Sequence, residues 1–292
     1  MVRLALHAMA TRFELVLHGA DPARLRAAGE QALGTIERLE RALSFYRADS
    51  DVALLNRRAA LEPVRVGADT YRLLRACAAI SAEADGAFDV TVGPLMRAWR
   101  LAGGHGAVPE PSELASARAR TGMHLLAFDD ERRAVRFLAS GVEVDLGAVG
   151  KGYAVDAAIA ELKEAGIASA LLHGGTSSVH AIGAPDGADA WAVEWGAPAG
   201  PGRDRRVIRL RDGALSVSAV HGKSFVQDGR RYGHVLDPRT GMPVDRQAAL
   251  VTGPCSYLCD ALSTALLVNG PDWASTLSER WKGYEGSLVA GP

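Results

Sequence analysis

Apolar and polar positions alternate over residues 11–18, Thr-Arg-Phe-Glu-Leu-Val-Leu-His, which predicts a strand. The period then changes. Leu25, Ala28, Ala32, Ile36, Leu39 and Leu43 recur at three- and four-residue steps and form one apolar helical stripe. Asp21-Pro22 opens that helix as an N-cap followed by a first-turn proline. Leu73, Cys77 and Ile80 predict a second helix over about 69–84. Gly103-Gly104-His105-Gly106 reads as a loop. Residues 124–128 and 133–138 flank Asp129-Asp130 as a hairpin, and 142–146 alternates like a strand. A glycine-rich turn follows, then a helix to Ala165 with Gly166 as its stop. Short strands fill 168–252, and helices are predicted at about 256–269 and 272–282. Hairpins with interposed helices, lacking a regular βαβ repeat, predict an α+β fold with a mostly antiparallel sheet.

Composition narrows the function. At 292 residues and 48% hydrophobic content the chain can bury the core of one large domain or of two lobes. Its 33 basic and 34 acidic residues nearly cancel, so no basic field favours nucleic acid or anionic lipid. An anionic ligand must therefore be held by a local site. No run of about 18 apolar residues predicts a membrane span. The start, Met1-Val2-Arg3-Leu4-Ala5-Leu6-His7, lacks a secretory apolar region, and the cysteines Cys77, Cys255 and Cys259 do not form a disulfide framework. Both observations predict a cytoplasmic chain. Cys255 and Cys259 lack a second metal-ligating pair at matching spacing and read as structural thiols.

Three clusters could carry chemistry. Asp145-Leu146-Gly147-Ala148-Val149-Gly150-Lys151-Gly152-Tyr153 lies where a strand gives way to a helix. Amides relieved of side chains at Gly150 and Gly152 could approach a phosphate, with Lys151 as a point charge. It is not a P-loop, because Asp145 stands five before Gly150 and Gly152 follows the lysine. A tight turn with a surface lysine is the other reading. In Asp260-Ala261-Leu262-Ser263-Thr264, the helical pitch of about 100° per residue puts Asp260, Ser263 and Thr264 on one face, opposite Leu258, Leu262, Ala265 and Leu266. A carboxylate and a hydroxyl one turn apart suit a hard cation such as Mg²⁺, or else simply serve the helix itself. His234 precedes the turn-forming Asp237-Pro238-Arg239-Thr240-Gly241; it could move a proton near neutral pH or be structural. Tyr46, Asp89 and the Gly174-Gly175-Thr176-Ser177-Ser178 turn are further candidates to meet a ligand.

Taken in order, these segments resemble the ApbE-type flavin transferases. The similarity runs from about Met9 to Gly270. It is carried by Met9-Ala10-Thr11 on the first strand, 46–56, 86–95, 145–156, the Gly174-Gly175 turn, 234–241 and 260–264. The resemblance implies one domain over 1–292 with a T-fold-like core and FAD in a cleft between two lobes. It implies FAD contacts from Met9, Tyr46, Ala87, Phe88, Asp89, Asp145, Lys151 and Val235. It also implies Mg²⁺ at the Ala148 carbonyl and the side chains of Asp260 and Thr264, with Ser263 nearby. The activity implied is transfer of FMN from FAD to a Ser or Thr hydroxyl of an acceptor protein, typically a flavin-dependent redox subunit, with release of AMP. Lys151 and His234 are the catalytic candidates, His234 as the base. An FAD pyrophosphatase and a non-catalytic FAD-binding or storage protein are the alternatives. Two positions depart from the family pattern: Thr176 follows Gly174-Gly175 where members commonly have Asp, and Val217-Ser218-Ala219 stands where many have Thr-Ser-Gly.

Overall fold

The computed structural model describes residues 1–103, 105–195, 206–220, 224–246 and 248–289. Gly104 of the predicted loop lies outside them. The chain opens with a hairpin, β1 (Val2–Ala8) and β2 (Thr11–Leu17), and continues into α1 (Pro22–Leu43). Asp21 caps α1 by accepting from the amides of Ala23 and Arg24, and every residue of the predicted apolar stripe is buried. Then come α2 (Asp51–Arg58), β3 (Val64–Arg65), α3 (Ala68–Glu83), α4 (Gly93–Ala98) and α5 (Pro111–Arg118). The predicted hairpin is β4 (Leu126–Asp129) with β5 (Ala134–Phe137), which forms a three-stranded sheet with β3.

The site-bearing half follows: α6 (Gly150–Glu164), β6 (Ala170–Gly174), β7 (Ser178–Ile182), β8 (Trp191–Trp195), β9 (Arg206–Leu210) and β10 (Gly213–Ala219). The hairpin β11 (Ser224–Gln227) and β12 (Arg230–Gly233) precedes β13 (Ala248–Gly253), α7 (Ser256–Asn269), α8 (Pro271–Arg280) and β14 (Glu285–Val289). The main sheet has seven strands in the order β1-β2-β6-β7-β10-β13-β14. Every pairing in it is antiparallel. The fold is α+β with a mostly antiparallel sheet, as the pattern predicted.

Both faces of this sheet are covered. Phe13, Leu15, Leu17, Leu172, Ala214, Ala249 and Val251 face the α1, α6 and α7 side and join the large core. Val179, Leu215, Val217 and Leu250 point the other way and pack with Trp191 and Leu210 of the β8–β9 ribbon. Fully burying such side chains contributes roughly 1.5–3 kcal/mol each.

The structure revises two local expectations. Residues 142–146 are extended, with Val142, Val144 and Leu146 buried, but they form no ladder beyond one bridge, Glu143 to Val92. The backbone of Val144 is instead paired by a side chain: Asn56 Nδ2 donates to its carbonyl at 3.0 Å and its amide donates to Asn56 Oδ1 at 2.8 Å. Met9 and Ala10 are not on a strand. They form the two-residue turn between β1 and β2, both with positive φ, 50° and 57°. That geometry matches the twist of the flanking strands and usually calls for Asn or Gly. Here Glu40 of α1 holds it by accepting the Met9 amide at 2.6 Å.

Candidate active site

Strand alternation puts Ser178 and His180 of β7 and Ser216 and Ser218 of β10 on the helix-covered face, where a core residue would be apolar. The three serine hydroxyls converge on α7. Asp260 there is only 4% exposed. Its Oδ1 accepts from Ser216 at 2.5 Å and from Ser178 at 2.7 Å, and its Oδ2 accepts the amide of Gly152 at 2.8 Å. That amide belongs to the first turn of α6, whose N-cap residue Val149 offers no side-chain acceptor. Asp260 therefore caps a helix other than its own. Burial pushes the Asp260 carboxyl above its ordinary 3.8, while the nearby charge of Lys151 and the three hydrogen bonds pull it back.

The structure changes the reading of the glycine turn. The amides of Val149 and Gly150 donate to the Leu146 carbonyl, and that of Gly152 goes to Asp260. These three amides already have protein acceptors, so they are not open to a phosphate. Gly152 answers a packing demand: a Cβ there would lie 2.5 Å from the Ser256 carbonyl oxygen. Ala148 is exposed in the same turn, and Asp145 Oδ1 accepts the Gly147 amide at 2.8 Å.

Asp260, Ser263 and Thr264 do share a face, but α7 is buried on both sides. Ser263 is fully buried; it donates to the Asp260 carbonyl at 2.9 Å and lies 2.7 Å from Ser218 Oγ. Thr264 is half-buried, 3.0 Å from Ser218 Oγ, and back-bonds to the Asp260 carbonyl at 3.3 Å. A carboxylate has about four acceptor positions, and three on Asp260 are taken. The open one, with the Thr264 hydroxyl, is an all-oxygen donor set suited to a hard cation. No group of three or more His, Cys, Asp or Glu side chains is placed to hold a metal ion among the described residues. A cation here would draw its remaining ligands from water and a phosphate-bearing substrate, as Mg²⁺ commonly does. The cysteines behave as structural thiols: Cys77 and Cys259 are buried, and burial pushes the Cys255 thiol up to about 12.

The other predicted residues lie on other elements. Ala87 and Phe88 have side chains buried in the core, so only their backbone can meet a ligand. Asp89 is occupied by the protein. It accepts from the Thr91 amide and hydroxyl and from the Met123 amide, at 2.7, 2.6 and 2.9 Å. Asp89 also borders a cavity of about 940 Å³ with Gly86, Arg75, Arg118, His124 and Arg239, which Met9, Tyr46, Lys151 and Asp260 do not line. Tyr46 is 76% exposed at a bend, edge-on to Phe45. His234 sits at a bend just after β12 rather than on the strand, and is half-buried, as is Val235.

The turn beyond His234 forms as predicted and is tied from several sides. Arg239 pairs with both Asp237 oxygens, at 2.9 and 3.0 Å, and donates to Asn269 Oδ1 at the end of α7. Trp99 Nε1 donates to the Gly241 carbonyl at 2.7 Å. Asn269 thus links the 234–241 segment to the helix that carries Asp260.

Residues 9–287 match the ApbE family. The chain belongs to the ApbE family. Among its relatives, the FAD:protein FMN transferase of Treponema pallidum is 30% identical over 91% of this chain and 78% of its own length. That of Salmonella typhimurium is 31% identical over 82% and 70%. The crystal structure of the ApbE protein of Thermotoga maritima superposes with a TM-score of 0.87 at 31% identity, covering 99% of this chain and 94% of that one. The apo form of the Pseudomonas stutzeri flavinyl transferase ApbE gives 0.85 at 30%, covering 100% and 91%. No helix among the described residues is long and apolar enough to cross a membrane.

Ser216, Ser218 and Glu40 are not among the candidates that the sequence offers, whereas Ser178 ends the glycine turn and Asn56 ends the 46–56 segment. The trace of Ser216 and Ser218 is a polar residue at alternate positions of an otherwise apolar strand.

Proposed function

We propose that this ApbE protein transfers FMN from FAD to a Ser or Thr hydroxyl of an acceptor protein and releases AMP, with Mg²⁺ required. The observation that carries the proposal is the Asp260 carboxylate, buried and held by three hydrogen bonds in the field of Lys151, with one acceptor position open. In this reading Asp260 and Thr264, with the Ala148 carbonyl, hold the cation, and Ser263 supports them from behind. Mg²⁺ supplies charge neutralisation at the diphosphate of FAD. Lys151 adds a second positive charge to the same anion.

The chain's residues supply binding and proton handling. Tyr46 offers an exposed ring for stacking, and Met9 is presented at the strained β1–β2 turn. The backbone at Ala87 and Phe88, with Asp89, Asp145 and Val235, completes the FAD contacts, and the cavity beside Gly86 and Asp89 has room for one end of the molecule. His234 takes the proton of the attacking hydroxyl. That oxygen forms a bond to the FMN phosphorus, the bond from that phosphorus to the AMP oxygen breaks, and AMP leaves with the electron pair. In this reading the acceptor is a flavin-dependent redox subunit and the protein acts in the cytoplasm.

The deciding experiment measures AMP release from FAD with and without Mg²⁺, chelator and a Ser/Thr-bearing acceptor. Magnesium-dependent AMP matched by covalent flavin on the acceptor is the expected result. AMP with free FMN would replace the transferase by an FAD pyrophosphatase, and tight FAD binding without AMP would leave a binding protein.

A further inference from the structure

Behind Asp260 lies a second polar cluster built on the same three elements. Asp156 stands four residues beyond Gly152 on α6, Ser256 four residues before Asp260 on α7, and His180 two residues beyond Ser178 on β7. Each spacing is one repeat of its element, so the two clusters are successive layers of one interface.

The second layer mirrors the first. The N-cap residue of α7, Cys255, makes no side-chain cap bond, and its first turn holds no acidic residue. Asp156 caps that turn from outside: Oδ1 accepts the Ser256 amide and Oδ2 the Tyr257 amide, each at 2.8 Å. Cys255 Sγ donates to Oδ2 at 3.1 Å. Asp260 of α7 caps α6 in the same way, through Gly152. The two helices thus cap each other across their contact. His180 closes the layer, with Nδ1 at 3.1 Å from Asp156 Oδ1 and 2.8 Å from Ser256 Oγ. Its Nε2 is buried with no partner among the described residues. An unpaired buried nitrogen costs stability, which an apolar residue would avoid. What His180 provides is the hold of Nδ1 on Asp156 and Ser256.

We infer that Asp156, with His180 and Ser256, is a positioning residue for the metal site: the reciprocal cap fixes α7 against α6, and so fixes the direction of the Asp260 carboxylate. This rests on the proposed cation at Asp260. Asp156 touches neither substrate nor metal. Its loss therefore weakens the grip on the cation and leaves FAD binding without metal unchanged. Partners that orient a metal ligand typically account for about 10- to 100-fold in affinity.

The test is Mn²⁺ binding to the full chain with FAD present, read from the free-ion electron paramagnetic resonance signal against an FAD-only blank. Asp156→Asn, which cannot accept all of these donors, is expected to raise the Mn²⁺ dissociation constant about 10- to 100-fold. FAD binding in chelator, read by flavin fluorescence, is expected to hold. Ile36→Val, a core change on α1, is the control for general loss of stability and leaves Mn²⁺ affinity unmoved. Unaltered Mn²⁺ affinity in Asp156→Asn would overturn the inference alone, whereas no Mn²⁺ binding by the unaltered chain would overturn the metal assignment with it. If Asp156→Asn does not fold, Ser256→Ala decides: it keeps the backbone caps and removes one partner of His180, so weaker Mn²⁺ binding supports the inference and unchanged binding overturns it.

Discussion

Gly152 of α6 and Ser256 of α7 meet backbone to backbone: a Cβ on Gly152 would lie 2.5 Å from the Ser256 carbonyl oxygen and 2.7 Å from the Tyr257 Cα. Neither neighbour is the yielding end of a side chain. The contact also delivers the Gly152 amide to Asp260. Helix packing and the site are one construction here, because the approach that seats α6 on α7 brings the carboxylate to the helix start.

Gly152→Ala therefore forces the two helices apart. The expected cost is about 1–3 kcal/mol, typical of overpacking. Gly150→Ala is the comparison, since its Cβ would meet only Leu146 Cβ at 3.9 Å. There the gain in helix propensity of up to about 1 kcal/mol is free to appear. Urea denaturation of both variants checks this. Equal stabilities would show that the backbone contact does not set the helix spacing.

Asp260→Asn separates charge from structure. Ser178 and Ser216 can accept as well as donate. The amide can turn its oxygen to Gly152 and its nitrogen to the two serines, leaving every partner matched. The variant is expected to fold and to lose magnesium-dependent AMP release by on the order of 10³-fold, the several kcal/mol that a bound cation contributes. Wild-type turnover would remove Asp260 from the metal site.

The elements of this fold were largely legible because their patterns are local. The α1 stripe, the Asp21 cap and the Gly166 stop each follow from neighbouring residues. The serine face was not legible. Alternation in β10 sets Leu215 and Val217 against Ser216 and Ser218, and on a one-sided sheet the serines would face water. The β8–β9 ribbon covers the leucine side instead, so the serines are left facing the helices. The strand pattern at 142–146 misleads for a related reason: Val142, Val144 and Leu146 alternate because they are buried, while main-chain pairing is limited to bonds with Val90 and Gly93, and Val144 is paired by Asn56, 88 positions away. Asp260, Ser263 and Thr264 could be placed on one face from spacing alone, but not the capping of α6, which joins residues 108 apart.

Tyr46→Ala tests the stacking role with little structural interference. The ring is 76% exposed, so its removal is expected to move stability by no more than about 0.5 kcal/mol. An aromatic contact is worth about 0.5–1.5 kcal/mol, so FAD affinity should fall roughly 2- to 10-fold. Fluorescence titration reads this directly, and unchanged affinity would exclude the ring from the flavin contacts.

Acid should weaken the α6–α7 contact through Asp156. Burial raises its carboxyl, but His180, the Tyr257 and Ser256 amides and Cys255 outweigh that and hold it below the ordinary 3.8. A carboxyl lowered on folding adds stability that is present above 3.8 and is lost as pH falls through the lower, folded value. Each unit of lowering is worth about 1.4 kcal/mol. Denaturation midpoints across that window should fall less steeply for Asp156→Asn than for the unaltered chain, and parallel curves would mean that Asp156 does not titrate differently in the fold.

His234 is the residue whose role depends most on a kinetic distinction. It leaves β12 at a bend and precedes a turn anchored by Arg239, Asn269 and Trp99, so it stands on a fixed support. A base acts on the acceptor's hydroxyl, which is absent when FAD binds alone. His234→Ala should therefore slow transfer by about 10²- to 10⁴-fold while the FAD dissociation constant changes little. A scaffold residue would disturb both together, because the 234–241 segment also carries Val235. Single-turnover flavinylation beside fluorescence titration separates the outcomes. Equal losses in the two would assign His234 to the support of the site and leave the proton to another group.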